Sequence, residues 1–158
     1  MNIAWVSLLV IHISAAAAWV GGSTMLEIVL NPKISSISAI QAGPVSKRIE
    51  DIFTITAWAA LTTMAATGIV LSIMQGSFNL SFLLNPTGMF LLASMILTAI
   101  ALVNGALISY YFAPRLKLIK MADSKLRDLV KVAIRGNNLI GLVVVTLMVI
   151  FTELVILK

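Results

Sequence analysis

The chain has 158 residues, of which 60% are hydrophobic and 11% charged, with a formal net charge of +5. Soluble domains carry about 25% charged residues, so this composition excludes a water-soluble fold and points to one integral membrane domain over residues 1–158. Cysteine is absent, which excludes disulfides, iron–sulfur clusters and thiolate metal sites.

Hydropathy predicts four spans, at about 3–30, 52–74, 88–112 and 139–157. Each is close to the roughly 20 residues that cross a hydrocarbon core. The first is longer and must tilt or protrude. It opens MNIAWVSLLV, with no basic flank before the apolar run, and is expected to be an uncleaved helix. It is expected to end at Asn31-Pro32, because proline cannot continue it. The stretch Lys33–Lys47 is rich in Ser, Gly and Pro and reads as irregular. Glu50 and Asp51 are expected to open the second span, where acidic groups suit the positive end of the helix dipole. Ala59, Thr63 and Thr67 recur at four-residue spacing along it, a small-residue face for close helix packing. Asn85-Pro86 is read as the turn before the third span, and Ala113-Pro114 as its end.

Arg115–Arg135 has its own period. Ile119, Ala122, Leu126, Leu129, Val130 and Ala133 share one face, and Lys117, Lys120, Arg127 and Lys131 the other. The segment reads as a basic amphipathic helix lying on anionic headgroups. The alternative is an extension of the third or fourth span. Gly136-Asn137-Asn138 is expected to break it and cap the fourth span.

Ten of the eleven basic residues lie either between the first two spans or between the last two, and Gln75–Thr87 has no charge. The positive-inside rule then puts both basic loops in the cytoplasm and both termini outside. The expected fold is therefore all-α: an antiparallel four-helix transmembrane bundle in the cell membrane, N-out and C-out. The basic excess goes with topology, so nucleic acid is not expected as a partner. The expected partners are the bilayer and either further copies or other membrane subunits. A faint repeat joins the halves: LEIVLNPKI and ISYYFAPRL each close an apolar run with Pro and a basic residue. Duplicated hairpins explain it, and so do basic inner loops together with chance.

The chain has one histidine, His12, and it falls inside the first span. At 100° per residue, His12, Ala16, Trp19, Ser23 and Glu27 lie within about 60° of one another. An ionisable group in a span is by default a functional-site hypothesis. His12 lies roughly 13 Å from the outer end of its span, and the same count reaches Met64, Met95 and Met148 on the other three. Imidazole with thioethers is a Cu(I) donor set. Alternatively, His12 is an axial haem ligand, or it is structural and bonds a neighbouring helix through Ser94, Thr98 or a backbone carbonyl. Trp19 reads as packing, Gly21 and Gly22 as close helix contact, and Asn104 as an interhelical hydrogen bond. Glu27 reads as a snorkelling or paired acid near the inner end, or as a relay. There is no nucleophile–base pair, phosphate loop or carboxylate dyad, which argues against a catalytic chain.

The run His12, Trp19-Val20-Gly21-Gly22 and Pro32 resembles the first helix of the CopD-type copper-resistance membrane proteins. Arg48 before the second span, Thr67-Gly68 near its outer end, Pro114-Arg115 and Asn138 fit the same likeness. It implies copper import or tolerance. A weaker resemblance is to HemJ-type four-helix haem proteins, which share the spacing from His12 to Trp19 but have a lysine in the third helix. No lysine lies there in this chain, and Ser94 stands near the place. Three functions follow: copper handling within the bilayer, a non-catalytic accessory subunit of a larger membrane enzyme complex, or a b-type haem protein. The corresponding cofactors are copper, none, or haem b.

Overall fold

A computed structural model describes residues 3–30, 39–77, 79–112, 115 and 124–156. Among them there is no strand; they are helical apart from the connection at 75–79 and the turn at 84–85. The helices are α1 (Ile3–Met25), α2 (Ala39–Met74), the short α3 (Leu80–Leu83), α4 (Pro86–Ala106) and α5 (Ser124–Ile156). Four stretches are long and apolar enough to cross a membrane: Ile3–Val29, Lys47–Met74, Pro86–Phe112 and Asp128–Leu154. This is a multi-pass membrane protein.

The chain divides into two compact units, 1–71 and 72–158. In the first, α1 packs on α2. His12 meets Thr67, and Gly22 lies against Phe53. Early residues thus meet late ones, and the two helices run antiparallel. The buried face of α1 is Ala15, Trp19 and Ser23. That of α2 is Ala60, Leu61, Met64, Thr67 and Leu71. The small-residue face expected at Ala59, Thr63 and Thr67 is displaced, since Ala59 and Thr63 are exposed and only Thr67 is buried.

The second unit is organised in the same way. Phe82 meets Phe151 edge-on at 6.4 Å, and the Asn104 Nδ2–H donates to the Ala133 carbonyl at 2.9 Å, so α4 and α5 also run antiparallel. Here the interhelical hydrogen bond expected of Asn104 is made. After α2, Gly76 takes a φ of +67°. Its N–H donates to the Ile73 carbonyl, and that of Ser77 donates to the Ser72 carbonyl. This Schellman closure needs a residue free of the Cβ penalty in the left-handed region. Asn79 then caps α3 by accepting from the Phe82 N–H at 2.8 Å. Pro86 occupies the first turn of α4, where its missing N–H costs nothing.

Two expectations are corrected. The second helix starts at Ala39, with Pro44 inside it, and not at Glu50-Asp51. The break expected at Gly136-Asn137-Asn138 is absent, and α5 runs through it for 33 residues. At 1.5 Å per residue that is about 50 Å, well beyond a ~30 Å hydrocarbon core, so 124–133 are continuous with the fourth span, as in the alternative reading of this segment; residues 116–123 of the expected interfacial helix lie outside the described residues. The reason is local: the Asn137 Oδ1 lies 3.4 Å from Asn104 Nδ2, so that side chain turns to α4 and does not compete for its own backbone. In addition, both apolar runs that precede a proline widen. Leu26–Leu30 and Leu107–Phe112 are π-helical, each ending two residues before Pro32 or Pro114. The two runs share this feature as well as their sequence pattern.

Candidate functional site at His12

His12 is half-buried in the first unit, and its Nδ1 lies 2.9 Å from the Thr67 hydroxyl. A hydroxyl has one proton to give. That of Thr67 goes to the Thr63 carbonyl one turn back, at 2.7 Å, with the Met64 carbonyl at 3.2 Å. The Thr67 oxygen is therefore an acceptor toward the imidazole, and Nδ1–H is the donor; the Met64 backbone also hydrogen-bonds the His12 side chain. This assigns the tautomer from the network: Nδ1 carries the proton and Nε2 the lone pair.

Gly68, the next residue, is what lets the ring approach. A Cβ there would stand 3.0 Å from the imidazole Cε1 and 3.6 Å from Nδ1. Thr67 holds the ring and Gly68 makes room for it. The sequence reading placed both residues near a helix end without joining them to His12.

Met64 lies one turn before Thr67 on the same face and is 3% exposed. It is the one methionine of the expected set that shares a unit with His12; Met95 and Met148 lie in the second unit. The structural alternative named Ser94 or Thr98 as the histidine's partner. Those hydroxyls donate within their own helix, to the Phe90 and Ser94 carbonyls, each at 2.8 Å.

Of the other candidates, Trp19 is 2% exposed and packs on the same α1 face. Ser23 Oγ donates to the Trp19 carbonyl at 2.7 Å. A Cβ added at Gly22 would lie 3.5 Å from the Phe53 ring, whereas Gly21 is exposed with open space beside it. Close contact therefore falls to one glycine of the pair. Glu27 sits in the π-helical end of α1, about 22 Å along the axis from His12, so the two do not form one centre. Lys131 is exposed and lies 3.6 Å from Asp128. Lys117, Lys120 and the Arg127 side chain fall outside the described residues, as does Lys33.

Among the described residues, no three His, Asp or Glu side chains gather as a metal site. The chain matches no protein family, no curated protein and no solved structure. What the site offers chemically is one oriented imidazole, packed on a face of α2 that also carries the buried Met64 side chain.

Proposed function

We propose that this multi-pass membrane protein handles Cu(I) within the bilayer, with His12 Nε2 as donor and Met64 as the thioether beside it. One observation carries the reading, the Nδ1–H···Thr67 hydrogen bond. A histidine that ligates a metal donates its other ring N–H to a fixed acceptor, which sets the tautomer and aims the free nitrogen. A neutral imidazole and a thioether are soft, uncharged donors. They suit a monovalent soft cation and need no buried countercharge. Copper here is cargo, held weakly enough to pass on. In the same proposal the four spans form one antiparallel bundle, with both basic loops inside and both termini out, as the ten basic residues of those loops favour.

A second reading is an accessory subunit of a larger membrane complex. It is favoured by the lack of a three-residue ligand cluster among the described residues, and by the fact that the His12–Thr67 bond also serves helix packing. Purified protein loaded with Cu(I) distinguishes the two. His12→Gln should abolish binding, because an amide is a poor donor to Cu(I), and Met64→Leu should weaken it at conserved volume. Unchanged copper content in His12→Gln would leave His12 structural and favour the subunit. A visible spectrum of the same sample reads out haem.

A further inference from the structure

The second unit carries a groove of about 660 Å³ between α4 and α5. Ile96, Ile100, Val103, Asn104 and Leu107 line one wall and Gly136 part of the other. From Ile96 to Leu107 it runs about 16 Å, close to half of a ~30 Å hydrocarbon core. Its lining is aliphatic, and the side chain missing at Gly136 helps to open it: a Cβ there would meet nothing within 4 Å.

Just past the Leu107 end the chemistry changes. Tyr111 lies one turn on, and the Arg115 guanidinium sits 3.8 Å from its ring centroid. Arg115 is exposed, three residues beyond the Pro86–Phe112 span. The guanidinium carbon thus lies over the ring, and no hydrogen bond from Arg115 to another described residue accompanies that contact. A guanidinium held in this way is a planar fork suited to phosphate. Among the described side chains at this end, Arg115, Lys125, Lys131 and Arg135 are basic and Asp128 is acidic, so the balance is positive.

We propose that the groove is an anionic-phospholipid site, with one acyl chain lying along Ile96–Leu107 and the phosphate on Arg115. The charge selects this occupant. A second copy seated side by side on the groove would bring two basic segments together, whereas an anionic lipid neutralises one.

The test is lipid retention by the full-length protein, released from nanodiscs containing equal phosphatidylglycerol and phosphatidylcholine and read by native mass spectrometry. Wild type should retain phosphatidylglycerol in preference. Arg115→Gln should lower that preference about tenfold, the loss of one charge-assisted hydrogen bond, and Arg115→Lys should restore part of it. Gly136→Leu fills open space and should reduce retention of both lipids. Val103→Phe, from the opposite wall, does the same if Gly136→Leu fails to fold. Free inorganic phosphate should not compete. The proposal is overturned if either groove-filling variant retains lipid like wild type, if Arg115→Gln keeps the preference, if phosphate alone displaces the lipid, or if a cysteine at Ile100 crosslinks two chains across the groove.

Discussion

At the scale of single residues, the centre of the first unit is a three-part contact: an imidazole, the hydroxyl that fixes its proton, and a glycine that admits it. Each part predicts a different result. Thr67→Val removes the acceptor at nearly constant volume and should cost about 1 kcal/mol in detergent unfolding, the usual worth of a hydrogen bond between membrane helices. It should also weaken Cu(I) binding 10–100-fold, the typical loss when the partner of a ligating histidine is removed. Thr67→Ser keeps the hydroxyl and should recover most of both. Copper binding unmoved by Thr67→Val would end the orienting role. Gly68→Ala puts a methyl group 3.0 Å from Cε1. The ring must give by a few tenths of an ångström, so the variant should fold but bind copper more weakly. Wild-type binding in Gly68→Ala would show that the ring has slack.

At the scale of elements, α4 and α5 are held at both ends of their contact. At one end, the Gly88 backbone lies against that of α3, where an added Cβ would collide with the Phe82 carbonyl and stand 2.9 Å from Leu83 Cα. Backbone cannot swing aside as a side chain can. Gly88→Ala should cost about 2–3 kcal/mol, seen as a lowered midpoint in denaturant titration, and a midpoint equal to wild type would remove α3 as a fixed brace. At the other end, Asn104→Leu should cost about 1 kcal/mol through the lost bond to Ala133. The same bond explains a misread element. Gly136-Asn137-Asn138 has the composition of a helix stop, and in water it would act as one. Here Asn137 turns to α4, and the helix continues for want of any better backbone partner in an apolar setting.

At the scale of the whole molecule, the charge pattern makes a topological prediction. Ser77 is unsuitable as a labelling site because it is 6% exposed. Leu80, 72% exposed in the same uncharged connection, and Lys125, exposed in the basic one, are suitable. Cysteines at these two positions should label from opposite sides of intact cells. Labelling from one side would refute the proposed orientation.

What the sequence determined by itself is what depends on neighbours along the chain. Span number and approximate length follow from runs of apolar residues, because an unpaired backbone in lipid forces each run to close its own hydrogen bonds. That His12, Trp19 and Ser23 share one face of α1 follows from helical period; that Ala15, Trp19 and Ser23 are the buried residues does not. Tertiary structure alone decided what meets what across helices. A span predicted from hydropathy has no defined rotation about its axis, so Ala59, Thr63 and Thr67 read as well as Ala60, Met64 and Thr67 until α1 is packed on one of them. For the same reason Thr67, and not Ser94 or Thr98, is the partner of His12. A hydroxyl 55 residues away bonds the imidazole because Gly68 lets the two helices meet there.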